Sequence, residues 1–577
     1  MRVPQSEDAH HHPARVAIRR RLTRRTLRLS YDAAVEIEGP VLGKPVGPLN
    51  QLLREGLTVD PDAVAIESAY RRLTWAELEE ESARLAAGYL SIGLSPGDRL
   101  ASLMPNRVAL AVHYLACFKA GLVATPLNYR YTARQIDHAL AVSTAAALVT
   151  HVERAADVAD SELAGSLACG TVVFHDAPDE EVPGAAQGAA ALHANQDIDV
   201  RWDHRFDDLL TTGALAGAPE FDPHLPAAIF FTSGSTGPAK GVTHTHESLR
   251  WMMASAVAAF ELSSEDAFLP ASSMSHLGSF LWTLSALSAG GRAVVARTTD
   301  AHELLPLLRE HDPTVLAMLP AALWALIRDH DLRPGDFSSL RLVRAGSDKV
   351  STELLAEFAS AAGFPIVEGY GMTEVGLATL NPVTGDNRQG SIGTPISGFT
   401  IALRDEQGDP TAVEQVGRIL IKTRSQMTGY WEAPEATAEV VSRGWLDSGD
   451  LARADQDGYL WFFGRKKQVI VHDGSNVSPF EVEGALVQHP AVDLAGVVGI
   501  HDDVHGENVR AYITLREGAQ RPAAADLIRF CRERVGYRAP EEIVVLDEMP
   551  LNPTGKIDRV GLKRMAEDHL HLNDPAG

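Results

Sequence analysis

The residues best equipped for chemistry stand in one ten-residue run that includes Thr232, Ser233, Gly234, Ser235, Thr236, Gly237 and Lys240 and closes at Gly241. Glycines let a backbone approach phosphate oxygens, hydroxyls and amides donate to those oxygens, and a lysine supplies charge. The run lacks the GxxxxGK[ST] spacing of a Walker A loop, which points away from ordinary phosphoryl transfer. Taken alone it reads as well as a Gly/Ser turn between two elements.

The elements that must position this run are legible on both sides. Ala227 to Phe231 is a short apolar stretch that predicts a buried strand, and Val242 to Leu249 is where a helix could start. Upstream, Trp75 to Tyr89 reads as an amphipathic helix, Pro96-Gly97-Asp98 as a turn and Arg99 to Met104 as a strand. Strands and helices alternate, which predicts an α/β sheet. The Ala-, Asp- and Gly-rich stretch from Ala155 to Pro223 reads as a loop over the surface.

At 577 residues the chain exceeds one core, so two or more domains are expected. A formal charge of -24 argues against a global role on nucleic acid or an anionic membrane. Any anionic ligand must be held by a local cluster. Cys117, Cys169 and Cys531 are far apart and odd in number, which suggests neither a disulfide framework nor a cysteine metal site, and fits a reducing, cytoplasmic compartment. No apolar run reaches the roughly 18 residues of a membrane span. Residues 1–45 differ from the rest, with His10 to His12 ahead of Arg19 to Arg21, Arg24, Arg25 and Arg28. Without an apolar segment after these charges they read as a disordered tail, not a secretory signal.

Further along, Glu368 to Gly376 combines the ring of Tyr370, the hydroxyl of Thr373 and the carboxylate of Glu374 with glycines. Trp445 to Asp450 ends in an acid that could chelate two ribose hydroxyls. Gly464 to Ile470, Gly474 to Pro479, Glu481 to Glu483 and finally Pro550 to Arg559 follow. In this order, over about Leu49 to Leu562, the set resembles the adenylate-forming superfamily of acyl-CoA synthetases, nonribosomal-peptide adenylation domains and firefly-type luciferases.

Such enzymes make a carboxylate reactive. Its leaving group would be oxide, so it attacks the α-phosphate of ATP, and AMP becomes the leaving group in place of oxide. That step needs charge neutralisation at the α-phosphate. The resemblance implies an α/β core of subdomains over residues 46–463, a hinge over 464–467 centred on Lys467, and a small mobile α+β lid over 468–577.

It also implies roles. The Thr232–Lys240 loop covers the β- and γ-phosphates, Glu374 holds Mg²⁺ with the Thr232 hydroxyl, and Tyr370, with Gly371 and Met372 beside it, lies against adenine. Thr373 contacts the α-phosphate, Asp450 the ribose, and Arg465 ribose or phosphate. Lys556 is the main catalytic cation, and His276 lies near the acyl carboxylate. Gly346 and Ser347 correspond to an adenine-side strand end, although Asp348-Lys349 departs from the usual Ala/Pro continuation. Lys466, Gly474, Ser475 and Arg538 are candidates for CoA.

The acyl pocket is expected to be apolar, formed near Leu277 to Trp282, Ala317 to Pro320 and Gly371 to Leu377. The implied activity is an ATP-dependent acid–CoA ligase for a fatty or aryl acid. The alternatives are a carrier-protein or amine acceptor, an oxyanion substrate such as nitrite, or a non-catalytic nucleotide-binding regulator. The implied partners are small molecules, with neither nucleic acid nor integral membrane association; a homodimer is the assembly allowed for.

Overall fold

Continuous apolarity across Ala227, Ala228, Ile229, Phe230 and Phe231 requires both faces of the segment to be covered, and in this computed structural model all five side chains are buried in the strand Pro226–Thr232. The strand pairs antiparallel with Lys240–Thr245, Thr232 opposite Lys240, so the two described ends of the glycine-rich run lie side by side. The helix foreseen from Val242 starts only at His246, capped by Thr245, whose side chain accepts from the Ser248 amide. Val242, Thr243 and Thr245 are β-branched and complete the sheet edge first.

The structure describes residues 35–175, 201–217, 219–232, 239–348, 350–472, 475–502, 506–552 and 556–572. Ser233, Gly234, Ser235, Thr236, Gly237 and Gly474 lie outside the described residues, as does Lys349.

Among the described residues an eight-stranded sheet carries this hairpin near one end, with Gly429–Tyr430 as the strand outside it, and its body is parallel, with Arg99–Leu103 between Val123–Pro126 and Ala147–His151. Ala147–His151 pairs in turn with Thr171–Phe174, a fully buried strand inside the stretch expected to be a surface loop. The four residues TVVF carry the β-branched signal that the surrounding Ala/Asp/Gly composition hid.

A nine-stranded sheet is parallel through Ala267–Ala271, Val315–Met318, Leu342–Ala345 and Val367–Met372, and turns antiparallel at Gly376–Leu380. Because those four strands run parallel, the segments that follow them emerge on one edge: Ser272 to His276, Gly346 to Asp348, and Thr373-Glu374. The carboxyl ends of parallel strands are where open α/β sheets bind ligands.

Hydrophobic burial divides the chain. The larger clusters draw on residues from Val35 to Leu460, whereas two others use only residues from Ile470 to Ala566. Val35 is itself buried, and Glu36–Glu38 pairs with Phe399–Arg404, so the packed core begins inside the stretch grouped with the basic tail. The C-terminal unit is α+β: a five-stranded sheet flanked by helices Pro479–Val487, Ala524–Val535 and Arg559–Leu572. Among the described residues no helix is long and apolar enough to cross a membrane, and all three cysteines are free thiols.

Candidate active site

The hairpin Val367–Met372/Gly376–Leu380 closes through Thr373, Glu374 and Val375, with a register shift between Tyr370 and Gly371. Glycine is required at two of its positions. A Cβ on Gly371 would sit 2.3 Å from the Gly376 carbonyl oxygen, and Gly376 adopts φ +80°. Behind the turn His244 is buried, which pulls its pKa down to about 4 and keeps it neutral. Its Nε2–H donates to the Thr373 carbonyl at 2.8 Å and fixes that turn.

Glu374 is buried, and the Tyr430 hydroxyl donates to its Oε1 at 3.0 Å. Burial holds its carboxyl above the usual range, with the Tyr430 hydrogen bond and Arg465 opposing. Tyr430 pairs with Val242 in the hairpin sheet, and Lys240 Nζ lies 4.9 Å from its ring centroid. One tyrosine therefore joins the end of the glycine-rich run to Glu374. Tyr430→Phe keeps the ring and removes the hydroxyl; adenylation is expected to fall about tenfold, measured as pyrophosphate release, the cost of one hydrogen bond to a charged group.

On the other side of the hairpin, the Tyr370 hydroxyl donates to Asp450 Oδ2 at 2.7 Å. Asp450 faces Arg465 across the antiparallel pair of strands Trp445–Ala454 and Leu460–Arg465, with Arg465 Nε 3.4 Å from Oδ1. Burial raises the Asp450 carboxyl, while Arg465, the Tyr370 hydrogen bond and Lys556 pull it back. Tyr370 continues into the C-terminal unit through aromatic packing, 6.1 Å to Phe462 and then 5.6 Å from Phe462 to Phe480. Arg559 sits 4.4 Å over Phe480 and pairs with buried Glu483 at 2.6 Å.

That packing delivers Lys556. Its backbone is pinned by Asn552, which donates its amide to the Lys556 carbonyl at 2.7 Å and accepts the Lys556 amide at Oδ1 at 3.1 Å. Burial lowers the ammonium pKa; Asp348 and Asp450 oppose the fall, and Arg465 and Arg344 reinforce it. His276, half-buried at the start of helix Leu277–Ser288, is held down to about 4 by burial and then by Lys556. A lysine from the C-terminal unit thus stands among the carboxylates, cations and imidazole of the large unit, 106 residues beyond Asp450 in sequence (556 − 450).

Comparison with known proteins matches this division. The family described as "AMP-binding enzyme" covers residues 53–431, and "AMP-binding enzyme C-terminal domain" covers 481–556, ending on Lys556 itself. The chain belongs to the AMP-binding enzyme family. A feruloyl-CoA synthase from an Amycolatopsis species is 32% identical over 516 residues, 88% of this chain and 96% of that protein. A benzoate CoA ligase from Burkholderia xenovorans superposes with TM-score 0.78 at 25% identity, over 90% of this chain and 100% of the other. The amide bond synthetase McbA from Marinactinospora thermotolerans superposes with TM-score 0.77 at 26% identity, over 90% and 100%. The chain is an AMP-forming acid–CoA ligase of the acyl-CoA synthetase type.

In this AMP-binding enzyme the remaining sequence candidates are scattered more widely. Gly346 and exposed Ser347, at φ +69°, follow strand Leu342–Ala345. Lys466 and Lys467 are exposed in the single turn Lys466–Gln468 after Arg465. Ser475 pairs with His472 in the C-terminal sheet. Arg538 is already paired, its Nη1 donating to Glu481 at 2.7 Å. Tyr430, His244 and Arg344 escaped the sequence reading, because no local spacing links them to the residues they touch.

Proposed function

We propose that this ligase activates an acid with an apolar body, aryl or fatty, by the roles its motifs imply, and that the placement of Lys556 among Asp450, Arg465, Asp348 and His276 carries the reading. The carboxylate oxygen attacks the α-phosphorus, the bond to the pyrophosphate oxygen breaks, and Lys556 spans the two anions as charge redistributes. Neutral His276, beside that lysine, lines the acid's approach without adding a competing charge. Tyr370 and the strand end at Gly346 flank adenine, and Asp450 with Arg465 holds the ribose.

Glu374 fits a hard divalent cation such as Mg²⁺: a buried carboxylate, raised by burial, that makes no ion pair among the described residues. With the Thr232 hydroxyl it would hold that ion, whose contribution is neutralisation of phosphate charge. The C-terminal unit then swings about residues 464–467, withdrawing Lys556 so that the CoA sulfur attacks the acyl carbon and AMP leaves. Lys466, Ser475 and Arg538, the last by exchanging Glu481 for a phosphate, are the CoA contacts in this scheme. Three free thiols suit a cytoplasmic enzyme.

The test is pyrophosphate release by the full chain with ATP, Mg²⁺ and a panel of aryl and fatty acids, with CoA present and omitted. Acid-dependent release in both arms, with thioester formed only when CoA is present, is the expected result. Silence with every acid would overturn the reading, and an amide formed from a supplied amine in preference to thioester would overturn the acceptor.

A further inference from the structure

Strand Leu342–Ala345 presents its side chains alternately to two cores: Val343 and Ala345 to one, Leu342 to the other. Arg344 falls on the Leu342 side and is only 7% exposed. Its neighbours across the strands, Ala317 and Val367, are apolar and belong to that same core. The guanidinium lies 5.6 Å from the ring centroid of Trp282, on the helix that starts after His276. Gly346 makes room for it, since a Cβ there would stand 2.5 Å from Nη2 and 2.7 Å from Cζ.

This chain habitually gives its inward-facing arginines a carboxylate. Arg510 meets Glu542 at 2.6 Å and Arg559 meets Glu483 at 2.6 Å. Arg344 is different. Among the described residues it makes no ion pair, and its Nε is buried without a hydrogen-bond partner. Burial alone draws its pKa down to about 10. A buried cation without an anion is strongly destabilising, so it persists where something else brings the charge. It also lies close enough to Lys556 to disfavour that ammonium.

We propose that Arg344 receives a second anionic group of the acid, a carboxylate or sulfonate, so that the substrate is a dianion whose apolar middle lies along Trp282. This rests on the ligase reading above and replaces its purely apolar pocket with one that is apolar along its length and cationic at one wall. Lys556 takes the carboxylate that is adenylated, and Arg344 takes the one that is kept.

The test compares kcat/KM for pyrophosphate release in matched pairs: isophthalate and terephthalate against benzoate, succinate against butanoate, glutarate against pentanoate. At least one dianion is expected to exceed its partner by about 100-fold in the native enzyme, the cost of leaving one member of a buried charge pair unmatched. In Arg344→Met that ratio falls to about 1, chiefly through KM. The free Arg344→Met enzyme melts higher than the native one because an uncompensated charge is gone, and the favoured dianion raises the melting temperature of the native enzyme alone. Gly346→Ala, which displaces the guanidinium and keeps its charge, lowers the same ratio. Native preference for the monoanion in every pair overturns the proposal, as does an equal loss for both members in Arg344→Met. No turnover with any acid would instead overturn the ligase reading, and this inference with it.

Discussion

Lys556→Ala is expected to lower acid-dependent pyrophosphate release by about 1000-fold, while thioester formation from supplied acyl-AMP falls less than about tenfold. The asymmetry follows from where the lysine sits. Asp348 and Asp450 favour its charge against burial, while Arg465 and Arg344 oppose it, so the ammonium stands in a field of fixed charges before the phosphate arrives. Preorganised charge at a site where negative charge moves is worth far more than the same charge in water. The second half-reaction breaks the acyl–AMP bond with no pyrophosphate to expel, and in the proposed swing the lysine has left. Lys556→Arg should not rescue adenylation, because a planar fork cannot replace a compact point charge between two anions. Rapid-quench measurement of the two half-reactions checks this, and equal losses in both would contradict a lid that works in two positions.

How much of this was written in the sequence depends on the distance over which each contact acts. The α/β character of the sheets followed from alternating apolar strands and amphipathic helices, and Trp75–Ser91 begins where Thr74 and Glu77 form a capping box. Asp450, Arg465 and Lys556 were named from their motifs; the structure pairs Asp450 with Arg465 and with the Tyr370 hydroxyl, and sets Lys556 near enough to favour the Asp450 charge. Contacts between distant segments left no such mark. Tyr430 reaches Glu374 across 56 positions and His244 reaches Thr373 across 129, so neither pair has a spacing to recognise. Arg344 shows the same limit from another side. A single arginine in an apolar strand reads as an outward-facing residue, and only the division of Leu342, Val343 and Ala345 between two cores reveals that it points inward. The hairpin at Lys240–Thr245 was missed because its residues could serve as a helix start, and pairing with Pro226–Thr232 decided otherwise.

Glu374→Gln should separate function from stability. The amide keeps the volume and can still accept from the Tyr430 hydroxyl, but it removes the negative charge that a divalent cation would need. Adenylation is expected to fall about 100-fold, and Mn²⁺ bound in the presence of ATP, read by paramagnetic resonance, should be lost in parallel. Stability should move the other way. Burial raises the folded-state pKa of Glu374, so the folded protein holds this proton more tightly than the unfolded chain. The stabilisation is fully present below the unfolded carboxylate range and is lost as pH rises through the folded value; at neutral pH the ionised side chain therefore weakens the metal-free fold. Removing that charge should raise the melting temperature of the metal-free enzyme at pH 8, and the gain should shrink as pH falls through the raised carboxyl value, where the native side chain takes up its proton. A variant that binds Mn²⁺ normally, or one that melts lower than the native enzyme at pH 8, would show that the Glu374 charge is not held in reserve for a cation.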